Sequence, residues 1–282
     1  MIGARFSRIV IIQSLAAGES PTGRHLRDAI EPTAEALHNI PVEFIDAQSV
    51  DNFWKALDRV HETVESVLDY PIVHLECHGI SDGSGLSLAD GTAVTWAELK
   101  TPLAKLNHAT CCSTFVTLAA CYGARLMETL DIQDRSPCWG LLGPSAEVSP
   151  PDLIGSYSAF FMELLRSSNA NTAIAALQDS PARKAYYFMF TVEDMFQNVL
   201  RLHKATYSTK AQLAAKTEEF TRIFKKHGFP DAMLSSVGAE ISGAQFRILN
   251  RFYERFFSVD RCPENKLRFP RAYAALVQCG EF

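Results

Sequence analysis

Two residues that could act together as a nucleophile and its base follow two apolar stretches of the chain. His78 ends the stretch PIVHLECH, Cys121 follows the stretch STFVTLAA, and a glycine comes soon after each. Neighbouring strands of a parallel sheet lie about 4.8 Å apart, so their carboxyl ends can hold two such side chains within reach of each other. A histidine beside a cysteine promotes the reactive thiolate. The pattern therefore predicts Cys121 as a nucleophile activated by His78.

The elements around these residues alternate between strands and helices. We predict strands at residues 8–15, 42–47, 72–77, 113–120 and 139–142, and helices at residues 25–38 and 51–69, the second capped by Asp51. This alternation is typical of an α/β fold with a mainly parallel sheet flanked by helices. Ligands of such sheets gather at the carboxyl ends of the strands. His78 and Cys121 fall at those ends.

The pattern changes after about residue 180, where we predict helices and no strand. The chain therefore divides into an α/β domain at 1–180 and a helical extension at 181–282. Many aromatic residues recur in the extension, and aromatic stripes usually form a core. A second interpretation is a surface that recruits a partner or the substrate.

The order of the motifs resembles that of the caspase-like cysteine peptidases, in particular their CHAT-type branch. The motifs HLECHG, GLSLADG, TWAEL and LAACYGA follow one another between Ser7 and about Leu177, and CWGLLGP and PDLIGSYSAFFMELL come after them. The string ACYG is similar to the caspase signature, with Tyr122 as the departure. The resemblance implies that His78 and Cys121 are catalytic. It assigns the oxyanion hole to the backbone amides of Gly79 and Cys121.

The resemblance also implies an activity and a setting. It implies a caspase-like cysteine endopeptidase that cleaves a protein substrate through a thioester intermediate and needs no cofactor. It suggests a bacterial or other non-animal relative, acting in antiviral defence or regulated cell death. An activating partner could bind the helical region. The alternative from another class is a catalytically silent caspase-like module that binds partners through this region.

Two acidic residues near the predicted fifth strand are candidates for substrate binding. The family commonly has an acidic residue just before the helix that PDLIGSY matches, and Asp152 stands there. An acidic pocket floor would favour cleavage after Arg or Lys. The competing interpretation is that Asp152 only caps the helix beginning at Leu153. Glu147 is the reserve candidate.

Three residues of the third predicted strand suggest a further alternative. His74, Glu76 and His78 share one face, because side chains alternate along a strand. Two imidazoles and a carboxylate could hold zinc in a metal hydrolase, which we rank third. Glu76 could instead orient His78. Cys77 points to the opposite face and is predicted to be buried.

Composition and charge argue against several other functional classes and locations. A net charge of −5 and a pI near 5.9 argue against nucleic-acid binding as the main function. The irregular placement of the seven cysteines matches neither a CxxC pair nor the disulfide framework of a secreted protein, which favours a reducing cytoplasm. The apolar run at the start is broken by Gln13 and Ser14, so we predict a first strand rather than a signal peptide. We predict no membrane span.

Overall fold

A mainly parallel sheet forms the centre of the first part of the chain. The computed structural model describes residues 6–67, 69–207, 209–228, 230, 234 and 236–280. The strands are β1 (Arg8–Ser14), β2 (Val42–Asp46), β3 (Pro71–Gly79), β4 (Gly85–Ser87), β5 (Ala93–Thr95), β6 (Phe115–Ala119), β7 (Gly140–Pro144) and β8 (Tyr187–Thr191). The strand order is β2-β1-β3-β6-β7-β8, and the hairpin β4–β5 extends from β3. Along this path, β2, β1, β3, β6 and β7 run parallel to one another, and β8 runs antiparallel to β7. The predicted fold class is confirmed.

Helices cover both faces of this sheet, which explains the long apolar stretches of its inner strands. They are α1 (Thr22–His38), α2 (Val50–Ser66), α3 (Trp96–Ala109), α4 (Pro150–Ser167) and α5 (Ala170–Gln178), and a 3-10 helix spans Gly123–Thr129. Helices α1, α4 and α5 share one core with Ile9, Ile11 and Ile72. Val10 and Ile12 point the other way by alternation, toward the face where α2 and α3 pack together.

Strand β8 corrects the prediction that no strand follows residue 180. It pairs antiparallel with β7, from Gly140 opposite Thr191 to Pro144 opposite Tyr187. The sequence YFMFT lacks the alternation of polar and apolar residues that marks a half-buried strand, and a helix begins directly after it. The first compact unit accordingly comprises residues 1–129 and 136–192.

The second compact unit, formed by residues 130–135 and 193–282, is helical as predicted. Its helices are α6 (Val192–Tyr207), α7 (Lys210–Lys226), α8 (Val237–Phe256), α9 (Asn265–Arg268) and α10 (Pro270–Gly280). Phe196, Tyr253, Phe256 and Phe257 are buried, and the ring of Phe196 contacts the other three in edge-to-face or tilted geometry. These rings form the core of the unit. No described helix combines the length and the apolar character needed to cross a membrane.

Candidate active site

Strands β3 and β6 bring His78 and Cys121 to the same edge of the sheet. The two strands are adjacent and parallel, and the last pair in their register joins Glu76 to Ala119. His78 and Cys121 each lie two residues beyond that pair. The side chain of His78 is 57% exposed, and Cys121 is half-buried. The proximity that the sequence predicted therefore follows directly from the register.

The backbone of Gly79 touches the backbone of Cys121. A Cβ atom at Gly79 would lie 2.1 Å from the carbonyl oxygen of Cys121 and 2.8 Å from its Cβ. Only glycine allows this approach. The residue after the cysteine, Tyr122, has a φ of 60°, in the left-handed region. The chain thus turns sharply after Cys121, and the sulfur stands at the turn.

Arg125 joins the loop after His78 to the loop after Cys121. Its Nη1 donates to the carbonyl oxygen of Asp82 at 2.9 Å, and its guanidinium lies 5.1 Å from the centre of the Tyr122 ring. Gly83, with a φ of 74°, leaves the space for Arg125, because a Cβ there would lie 2.6 Å from Nη1. We call Gly83, Tyr122 and Arg125 the arginine bracket.

The loop after β7 provides a hydrogen-bond donor to the sulfur of Cys121. The Val148 N–H donates to Sγ at 3.4 Å, and the Tyr122 N–H donates to the Ala146 carbonyl at 3.1 Å. The loop is thereby fixed alongside the cysteine. A backbone N–H directed at sulfur stabilises negative charge there.

Glu19, in the loop between β1 and α1, is the partner of His78. Its Oε1 lies 3.0 Å from His78 Nε2, and its Oε2 accepts the Ala16 N–H at 2.8 Å. The Ala16 amide, and then His78, hold the pKa of the Glu19 carboxyl below its ordinary value against the effect of burial. No described residue hydrogen-bonds to His78 Nδ1. The sequence analysis missed Glu19 and named Glu76 for this role.

Glu76 contacts a different histidine. Its Oε2 lies 3.0 Å from His74 Nε2, and its Oε1 accepts the Thr22 hydroxyl at 2.6 Å. His74 Nδ1 lies 2.7 Å from Thr117 Oγ1, and His74 and Glu76 are both buried. Because both ring nitrogens of His74 are engaged and His78 pairs elsewhere, the predicted zinc set of His74, Glu76 and His78 is not assembled among the described residues.

A cavity of about 260 Å³ opens between the two candidate catalytic residues. Its lining contains the carboxylates Glu19 and Glu76 and, among the described residues, no Lys or Arg. The other lining residues are Leu15, Ser20, Thr22, Cys77, His78, Cys121, Val148, Pro150 and Leu153. The cavity therefore combines an apolar wall with negative charge.

Cys77 also lines this cavity but is buried, as predicted. Burial, and secondarily the charge of Glu76, raise the pKa of the Cys77 thiol far above its ordinary value, and a hydrogen bond from the Ser14 backbone offsets this only in part. Cys77 is therefore a neutral thiol at physiological pH, and Cys121 is the better nucleophile of the two.

Asp152 is not where the sequence analysis expected it. Its carboxylate is buried outside the lining of the cavity and accepts four hydrogen bonds. The donors are the hydroxyls of Ser156 and Tyr187, at 2.9 and 3.0 Å, and the backbone N–H groups of Lys184 and Ala185, at 2.9 and 3.0 Å. Asp152 thus fixes the segment that leads into β8. This position gives no support to its expected role as the floor of a specificity pocket.

The competing interpretation of Asp152 as a helix cap is not realised either. Ser149 caps α4, and its Oγ accepts the N–H of Asp152 at 3.4 Å. Glu147, the reserve candidate, is exposed in the loop after β7, next to Val148. It remains near the cavity without lining it.

Comparison with known proteins adds no relative. No family model matches this chain, and none of the curated proteins matches its sequence.

Proposed function

We propose that this protein is a caspase-like cysteine endopeptidase that cleaves a protein substrate after a basic residue. One observation carries the proposal: His78 and Cys121 each lie two residues past the last register pair of two adjacent parallel strands, and both line one cavity. A thiol and an imidazole at such positions are the minimum required for nucleophilic catalysis by cysteine.

The reaction proceeds in two steps. Cys121 Sγ attacks the carbonyl carbon of the scissile bond while its proton passes to His78, and the amine then leaves with that proton as the thioester forms. His78 next removes a proton from water, which attacks the thioester. The carboxylic acid leaves, and the proton returns to the Cys121 sulfur. His78 acts in turn as base, acid, base and acid.

Three neighbouring groups support these steps. Glu19 binds His78 Nε2, which directs Nδ1 to the proton transfers. The Val148 N–H stabilises the negative charge that develops on the sulfur as its proton passes to His78. The Cys121 N–H has no acceptor among the described residues, so it is available to the oxyanion together with the Gly79 amide.

The charge of the cavity supports a preference for Arg or Lys before the scissile bond. Glu19 and Glu76 supply negative charge, while Leu15, Val148 and Leu153 offer an apolar wall to the aliphatic part of such a side chain. Glu147 adds charge near the entrance. In this proposal, Glu19 and Glu76 replace Asp152 as the source of the preference for basic residues.

A peptide carrying a thiol-reactive group tests the proposal. We expect a probe ending in Arg to add one label to the folded protein, on Cys121, and to react faster than a matched probe ending in Asp. Cys121→Ala should abolish labelling, and Cys77→Ala should retain it. Labelling at another cysteine would contradict the assigned nucleophile. Absence of labelling across probes with different terminal residues would instead support the catalytically silent module.

A further inference from the structure

The second unit contains a cavity that the proposed peptidase reaction does not use. Its volume is about 690 Å³. The residues around it are Gln197, Leu200, Arg201, Lys204, Arg271, Ala274 and Ala275. Three of these side chains are cationic, and none of the described lining residues is acidic. We call this cavity the cationic groove.

Two helices of the second unit form the walls of the groove. From α6, Gln197, Leu200, Arg201 and Lys204 lie on one face, because residues three and four apart are neighbours on a helix. Arg271 and two alanines come from α10. The small alanine side chains leave the space open, while the longer cationic side chains stand around it.

Hydrogen bonds hold two of the cations in place. Arg271 Nε lies 3.0 Å from Glu193 Oε2, and Glu193 Oε1 accepts the Ala272 N–H at 3.1 Å. Arg201 Nη2 donates to Asn198 Oδ1 at 2.9 Å. A guanidinium has five N–H donors, so each of these contacts uses only part of its capacity.

We infer that the cationic groove binds a small molecule bearing several phosphates, of the nucleoside polyphosphate class. Guanidinium groups match phosphate oxygens in a two-point geometry, and Lys204 adds a point charge. Leu200, Ala274 and Ala275 provide an apolar surface for a base or sugar. The volume lies within the range of about 300–1,000 Å³ that small-molecule sites occupy. Glu193 forms an ion pair with Arg271, so the excess positive charge of the groove comes from Arg201 and Lys204.

Calorimetric titration of the full chain with ATP and with inorganic triphosphate tests this inference. The test variant is Arg201→Ala with Lys204→Ala. The matched control is Lys225→Ala with Lys226→Ala, which removes the same charge from exposed positions at the end of α7. We expect ATP to bind more tightly than triphosphate, and the test variant to weaken ATP binding by about tenfold or more. The control variant should bind like the unmodified chain.

Three outcomes would overturn the inference. The first is no heat of binding with millimolar ATP or triphosphate. The second is equal weakening in the test and control variants, which would indicate a general charge effect. The third is binding of a polyglutamate peptide in the groove without binding of ATP, which would indicate an acidic protein segment as the ligand. Thermal unfolding of each variant, followed by circular dichroism, establishes that it is folded.

Discussion

Gly79 and Cys121 are in backbone contact, so the end of the histidine-bearing strand sets the position of the cysteine. A methyl group at Gly79 would lie 2.1 Å from the Cys121 carbonyl oxygen. The relative position of the two candidate catalytic residues therefore depends on a contact between backbone atoms.

We expect Gly79→Ala to separate this contact and to reduce peptide cleavage by about 100-fold, since a shift of about 1 Å can have that effect. The free energy of unfolding should fall by about 1–3 kcal/mol, as for other overpacked sites. Gly91→Ala is the control for a loss of stability alone, because its φ of 81° strains any side chain there while the space around it is open. A fully active Gly79→Ala variant would show that the contact is not needed for catalysis.

Loss of either member of the His78–Cys121 pair should abolish turnover. We expect Cys121→Ala and His78→Ala each to reduce kcat/KM by about 1,000-fold or more, and the double variant to be little worse, because the two groups act as one unit. Steady-state cleavage of an Arg-containing peptide measures this. Cleavage that persists in Cys121→Ala but is lost in Cys77→Ala would assign the nucleophile to Cys77.

Replacing Glu19 should affect catalysis through His78. We expect Glu19→Gln to lower kcat by about tenfold, as for loss of a charged hydrogen bond, and to change the pH profile of kcat. Glu31→Gln, a change at an exposed position of α1, should do neither. An unchanged pH profile in Glu19→Gln would mean that Glu19 does not act on the histidine.

The same variant should reveal a dependence of stability on pH. The pKa of Glu19 is lowered in the folded protein, so its stabilising contribution is complete above the pKa of an unfolded glutamate and is lost as the pH falls through the lowered value. We therefore expect the difference in free energy of unfolding between the unmodified chain and Glu19→Gln to be largest near neutral pH. It should vanish in acid, as measured by urea titration.

Asp152 should matter for stability rather than for specificity. Asp152→Ala leaves four donors without an acceptor, three of them buried, so we expect the free energy of unfolding to fall by about 3 kcal/mol or more. Tyr187→Phe removes one of these bonds and should cost about 1 kcal/mol. The folded fraction of either variant should still prefer basic residues. A stable Asp152→Ala variant that has lost the preference for basic residues would instead support Asp152 as the floor of a specificity pocket.

The position of β8 determines where the chain can be shortened. A chain ending at residue 180 lacks β8, which exposes the edge of β7 and removes Tyr187 from the core. We expect it to be less soluble and less stable than a chain ending at residue 192, measured by expression and thermal unfolding. Equal behaviour of the two chains would show that β8 adds little to the sheet.

The sequence was sufficient for the parts of the fold that depend on burial. Strands β1, β3 and β6 are covered on both faces, so each appears as a continuous apolar run. Parallel strands end at the same edge of a sheet, so the positions of β3 and β6 in the sequence were enough to predict that His78 and Cys121 lie at one edge. No side-chain contact had to be known. The helix α2 was also predicted, although Ser49 rather than Asp51 caps it.

The sequence did not predict hydrogen bonds between residues that lie far apart in the chain and follow no regular spacing. Glu19 lies in a loop, and nothing in its neighbourhood indicates a contact with His78. Asp152 stands at the start of a helix, where the sequence does not distinguish a helix cap, a pocket residue and a buried hydrogen-bond acceptor from one another. Three of its four donors come from residues 184, 185 and 187, which are more than thirty positions further along the chain.

The arginine bracket makes three positions interdependent for anyone who redesigns this site. A residue larger than glycine at Gly83 would displace Arg125, and a shorter residue at Arg125 would leave the Tyr122 ring without its cation and Asp82 without its donor. Libraries that randomise one of these positions at a time should therefore return mostly the starting residue. Productive changes require joint variation of all three residues of the bracket, which lies beside the candidate active site.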